Sequence, residues 1–242
     1  TLLSFLENIA VTPDRNLVDF RMPVQYVLNS EKGRGYSGKI ASGSIKKGEE
    51  IVVLPSEEKT KIKEVAVGGD SEESAHTPMS SVLYTEDELD ISRGDMISRV
   101  DNQPTVASGF QAKICWMNKQ ELDLDKKYIL KHTSRSVDCE VSLNYKLNVN
   151  TLHREEVDTL SLNDIGKVTI ATHEPIMFDP YEKNRNTGNF LLIDRQTKDT
   201  VAAGMIIKQK DVDYRNMNTE KGTVLWFTGL SGAGKSTVAN NL

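Results

Sequence analysis

The stretch FRMPVQYVLNSEKGRGYSGKIASGSIKKGEEIVVLP, residues 20–55, decides the fold. Its opening places Phe20, Met22, Val24, Tyr26 and Leu28 at alternate positions, the period-two pattern of a half-buried strand. Pro23 cannot donate to a ladder, so this strand is expected at an edge or beside a bulge. Glycines then recur at 33, 35, 38, 43 and 48, between the short segments YSGKIASGSI and EEIVVLP. Glycine at that density suits the tight turns and bulges of a small closed barrel. KIKEVAV (61–67) continues the pattern, and ISRGDMIS (91–98) supplies a last turn and strand.

A second strand-rich block follows Pro104. FQAKICWM, KKYILKHT, RSVDCEVSLNYKLNV, GKVTIATHEPIMF, NFLLIDR and VAAGMIIK are six apolar segments separated by turn residues about every ten positions. TLHREEVDTL (151–160) is expected as a short helical or loop insertion. The stretch 211–222, DVDYRNMNTEKG, has few apolar residues and reads as a linker. The expected fold class is mainly β. Two consecutive small β-barrels, 14–103 and 104–210, precede a linker (211–221) and the first strand, phosphate loop and helix of an α/β domain (222–242).

Composition sets the outer limits. The 242 residues give room for about two domains of ordinary size. Apolar residues at 38% and charged residues at 27% are ordinary for a soluble globular chain. No apolar run approaches the roughly 18 residues of a membrane span, and the first residues lack the basic-then-apolar order of a signal peptide. Cys115 and Cys139 lack a second pair, which argues against a disulfide framework or zinc site and for a reducing, cytoplasmic setting. Residues 16–103 carry 11 Lys/Arg against 16 Asp/Glu, a net of −5; residues 104–210 carry 15 against 14, a net of +1. Neither block has the positive excess that binding nucleic-acid phosphates demands.

The C-terminal segment GTVLWFTGLSGAGKSTVANNL holds a full match to G-x-x-x-x-G-K-[ST], from Gly229 to Ser236. TVLWFTG before it is an apolar strand, and STVANNL after it can open a helix. Glycine is required because the backbone must curl around phosphate oxygens with its N–H groups pointing inward. The helix start adds its positive end to the same anion. The expected ATP phosphate-binding residues are Gly229, Ser231, Gly232, Ala233, Gly234, Lys235, Ser236 and Thr237. Lys235 would reach the β- and γ-phosphates, and the Ser236 hydroxyl would ligate Mg²⁺.

The order of motifs now carries a resemblance. GRGYSGKIASGSIKKGEEI (33–51) followed by ISRGDMI (91–97) resembles the second domain of elongation-factor-type GTPases, and the second block resembles their third domain. DFRMPVQYVL, RGYSGKIASG, EPIMFDPYEKNRNTGNFLLIDR and TVAAGMI are most similar to the GTP-dependent large subunit of sulfate adenylyltransferase. GTVLWFTGLSGAGKSTVA is similar to the start of adenylylsulfate kinase. The resemblance implies a bifunctional sulfate-activating protein. One activity makes adenylylsulfate and pyrophosphate from ATP and sulfate, coupled to GTP hydrolysis. The other phosphorylates adenylylsulfate at its 3′-hydroxyl, with ATP and Mg²⁺. It also implies a small catalytic subunit as partner, barrels that are not themselves catalytic, and GTP bound by a preceding domain of which residues 1–13 would be the end.

Other residues carry less. Arg34 and Gly35 admit a role facing the GTPase domain or an ordinary turn. Pro175 and NRNTG (184–188) are expected to be structural, and Trp116 and Met117 to pack in a core or interface. His76, His132, His153 and His173 have no carboxylate or cysteine at ligand spacing. The competing reading is a pair of tRNA-carrying translation-factor domains; the acidic first block and the C-terminal phosphate loop oppose it.

Overall fold

A computed structural model describes residues 16–211, which fall within one compact unit. The linker, the phosphate loop and residues 1–13 therefore lie outside the described residues, apart from Asp211. The first block forms β1 (Arg21–Pro23), β2 (Tyr26–Ser30), β3 (Gly33–Lys39), β4 (Ser44–Lys46), β5 (Glu50–Leu54), β6 (Glu58–Val67), β7 (Asp70–Glu72), β8 (Ser74–His76), β9 (Ser80–Thr85) and β10 (Met96–Arg99). The second forms β11 (Thr105–Trp116), β12 (Tyr128–His132), β13 (Arg135–Leu147), β14 (Arg154–Glu155), β15 (Ile165–Phe178), β16 (Asn189–Asp194) and β17 (Thr200–Gln209). No helix occurs among the described residues, so 151–160 is a loop with a two-residue strand rather than a helix.

The first sheet runs β1-β10-β5-β6-β9-β3-β2. Its ends meet because β1 and β2 are consecutive: the Val24 N–H donates to Asp95 O and the Gln25 N–H to Ser37 O, handing the chain from β10 to β3. The result is a closed barrel, with Pro23 in β1, whose one ladder is to β10. This hand-over corrects the expected alternation. Phe20, Met22 and Val24 are buried as predicted, but Gln25 and Tyr26 both face outward, Tyr26 at 66% exposure. Beyond the break it is Val27 that packs on the core. A one-residue irregularity inverts the parity of every side chain after it.

The second sheet runs β12-β16-β17-β11-β15-β13 and closes through β12–β13, a six-stranded barrel with β14 appended. Phe110 anchors its core against Phe178 (5.4 Å) and edge-on to Phe190 (5.6 Å), while Trp116 meets Tyr128 edge-on at 6.0 Å. Cys139 is buried and Cys115 half-buried, both as free thiols, and burial pushes the Cys139 thiol far above its usual range. No helix among the described residues is long and apolar enough to cross a membrane.

Several glycines are sterically required, two of them against side chains of neighbouring strands. A Cβ on Gly35 would sit 2.7 Å from Val82 Cγ1, so this position serves the ladder between β3 and β9. A Cβ on Gly204 would fall 2.2 Å from Phe190 Cζ, inside the aromatic cluster. Gly204→Ala must turn that ring aside and is expected to lose about 1–3 kcal/mol in urea unfolding. An unchanged midpoint would show that the ring has free room.

Candidate functional site: the seam between the barrels

Among the described residues no group of three or more His, Cys, Asp or Glu could hold a metal ion. The eight expected phosphate-loop residues, Gly229, Ser231, Gly232, Ala233, Gly234, Lys235, Ser236 and Thr237, lie outside the described residues. Of the other candidates, Arg34 is half-buried in β3 beside Gly35. The polar chemistry that is on the page gathers at the seam between the barrels.

Its centre is Arg21, on β1, fully buried. Nε donates to Asp179 Oδ2 at 2.9 Å and Nη2 to Asp179 Oδ1 at 3.0 Å, a two-pronged pair joining residues 158 apart in sequence. Nη1 donates to the Phe20 and Asn102 carbonyls, both at 2.8 Å, and Nη2 to Asn102 Oδ1 at 3.1 Å. All five guanidinium N–H groups are thereby used, the condition under which a charge can be buried. Asp179 lies just past β15, in the turn that leaves the second barrel. It also accepts from Thr187 Oγ1 at 2.8 Å.

Around this pair the segment 179–187 lies on the first barrel. Asn184 Nδ2 donates to Ser42 Oγ (2.8 Å), whose hydroxyl donates to Asp19 O (2.6 Å). Asn186 Nδ2 donates to Ala41 O at 2.6 Å, and Lys183 Nζ lies 3.2 Å from Asp19 Oδ2. Burial alone would raise the Asp19 carboxyl, but hydrogen bonds from Asn16, Asn102 and Lys183 outweigh it and hold the group below its usual value. His132, at the end of β12, is buried with Nε2 2.8 Å from Thr187 O, so this nitrogen carries the proton and donates. Burial lowers its basicity, opposed by the Thr187 carbonyl and the Asp179 charge.

The seam opens at one edge into a cleft of about 270 Å³, walled by Gln25, Lys39 and Ala41 from the first barrel and by Thr133, Ser134 and Asn186 from the second. Chemically the seam holds rather than reacts. NRNTG, expected as turn and strand elements, is also a fastener: Asn184 and Asn186 reach Ser42 and Ala41 of the first barrel, while Thr187 holds Asp179 in place. The available signal was the density of Asn, Thr and Asp in FDPYEKNRNTGN, far more amide-bearing than a simple turn needs.

Comparison with known proteins fixes the relationship. Residues 109–207 match the family described as GTP-eEF1A C-terminal domain-like, and residues 221–242 match adenylylsulphate kinase. The bifunctional enzyme CysN/CysC of Mycobacterium tuberculosis is 42% identical over 99% of this chain. The chain is a relative of the sulfate-activating enzymes. Sulfate adenylyltransferase subunit 1 of Bacteroides fragilis is 40% identical over 90% of the chain, and the bifunctional enzyme NodQ of a Rhizobium species 37% identical over all of it. The chain spans 42%, 46% and 41% of these relatives' lengths. The solved structure of sup35 complexed with GDP overlays with a TM-score of 0.73 at 19% identity, covering 87% of this chain and 52% of that one. That likeness establishes the elongation-factor-type barrel fold.

Two expectations follow from the seam. Asp179→Asn strands the buried Arg21 charge and should lower stability by about 3–5 kcal/mol, while Arg21→Met with Asp179→Leu should recover most of the loss; chemical denaturation of the three variants distinguishes these outcomes. Stability should also fall in acid. The folded His132 has a lower pKa than its ordinary 6.5, so it penalises folding progressively below that value. The depressed Asp19 contributes stability that disappears lower still, as pH drops through its folded pKa. Thermal midpoints measured across pH should show both steps, and His132→Gln should remove the first.

Proposed function

We propose that this chain is the coupling region of a bifunctional sulfate-activating enzyme. The observation that carries the reading is the joint presence, in order, of two elongation-factor-type barrels and an adenylylsulfate-kinase phosphate loop, in a chain 42% identical to CysN/CysC across 99% of its length. In this reading the parent protein contributes to sulfate adenylyltransferase, in which ATP and sulfate give adenylylsulfate and pyrophosphate. It then phosphorylates the product's 3′-hydroxyl with a second ATP. The first reaction is unfavourable alone, and GTP hydrolysis draws it forward.

The barrels bind no nucleotide on this reading. GTP is held by a part of the protein beyond these residues, and a separate small catalytic subunit performs the adenylyl transfer in the cytoplasm. Coupling requires that contacts differ between the GTP and GDP states. The seam bears on how that difference would travel. The two-pronged Arg21–Asp179 pair and the Asn184 and Asn186 anchors oppose bending between the barrels, so they would shift together as one lever.

Gly229, Ser231, Gly232, Ala233, Gly234, Lys235, Ser236 and Thr237 would cradle the ATP phosphates, with Ser236 on Mg²⁺. In the full-length protein, Lys235→Ala is expected to reduce adenylylsulfate phosphorylation by about two orders of magnitude or more. GTP-dependent adenylylsulfate formation with the catalytic subunit should persist in the same variant. Radiolabelled-sulfate assays of the two products test this, and a full-length protein that makes neither product sinks the reading.

A further inference from the structure

The outer face of the second barrel bears a concentration of positive charge that the fold itself does not neutralise. Strand register places Tyr145 (β13), Lys167 (β15), Lys113 (β11) and Met205 (β17) side by side in one row. The next row is Ser142, Thr169, Gln111 and Lys208 on the same strands. Arg154 lies over the Tyr145 ring at 4.9 Å and Lys167 at 5.9 Å, and Lys210 Nζ reaches Thr169 Oγ1 at 3.4 Å. Five cations thus share one sheet face.

Two features show that this is more than an ordinary solvated surface. Lys113 and Lys167 are directly paired across antiparallel strands, an arrangement that costs stability because like charges are held about 5 Å apart at Cβ. Among the described residues neither they nor Lys208 forms an ion pair. The nearby acids are largely committed elsewhere: Asp164 holds Lys146 at 2.8 Å and Glu155 accepts from Asn148 at 2.7 Å, leaving Glu182 beside Lys113 in a shallow depression. An anionic surface laid over the face would relieve the repulsion. Met205, 42% exposed in the same row, offers an apolar contact at its centre.

We propose that this β13-β15-β11-β17 face docks an acidic protein surface, that of the small catalytic subunit; the identity of the occupant rests on the function proposed above. Charge favours a protein over nucleic acid. The first barrel is acidic, a net of −5 over residues 16–103, and would repel a long polyanion. The face's aromatic ring already carries Arg154 and Lys167 and is not offered for base stacking.

The test uses the full-length protein, titrated with the catalytic subunit by calorimetry at low and physiological salt. The expected result is an affinity that weakens with salt and drops about tenfold or more in Lys113→Glu/Lys167→Glu, with a smaller loss in Lys113→Gln/Lys167→Gln. Both positions point outward, and unaltered circular dichroism of the Gln pair separates lost docking from lost folding. Subunit affinity indifferent to both variants overturns the docking face and leaves the proposed function standing. A wild-type protein that fails to bind the subunit at all overturns the proposed function and this occupant with it. Lysine-dependent retention of transfer RNA, without lysine-dependent binding of the subunit, overturns the choice of a protein partner.

Discussion

The seam between the two barrels is organised around a single buried charge pair. Arg21 and Asp179 come from different barrels and are removed from water together, at 0% and 3% side-chain exposure. Removing two charges from water is costly, and mutual attraction offsets this only when every remaining donor and acceptor is occupied. Here Asn102, Phe20 and Thr187 supply those partners. The same accounting explains the surrounding amides. Asn184 and Asn186 donate to the Ser42 hydroxyl and the Ala41 carbonyl at the edge of the first barrel, and Asn102 donates to the Asp19 carboxylate.

A seam made of directed bonds has mechanical consequences. Apolar surfaces slide over one another with little change in energy, whereas a two-pronged Arg–carboxylate pair tolerates little rotation. The two barrels keep separate cores, one around Phe20, Tyr36 and Ile97 and the other around Phe110, Trp116 and Phe178. A third, smaller cluster joins them, with Met177 of the second barrel packed against Val52, Leu54 and Met96 of the first. In the coupling role proposed above, such a body would pass on displacement instead of absorbing it.

Charge is divided between the barrels in a complementary way. The first has the acidic excess; the second is nearly neutral in total but sets four of its lysines, 113, 167, 208 and 210, on one sheet face. Strand register produces this gathering. Residues 113, 145, 167 and 208 are far apart in the chain, and only the pairing of four strands sets them in adjacent rows.

The sequence by itself determined the strand content, the two-barrel organisation and the family, because alternation, glycine punctuation and motif order are local properties of the chain. It marked Pro23 as a residue that cannot donate to a ladder for the same reason: a missing N–H is visible in one residue, and β1 has its one ladder to β10. Tertiary structure alone decided three other things. The break at Val24–Gln25 turned Tyr26 outward, since closing the barrel required the chain to change partners there. Arg21 is the most enclosed charge among the described residues because Asp179 arrives from another barrel. The NRNTG segment looked like a turn, and became a fastener because its amides meet a hydroxyl and a carbonyl 142 and 145 residues away. Local pattern fixes which face of a strand is apolar. What that face, or its opposite, will meet is a matter of long-range packing that no local pattern encodes.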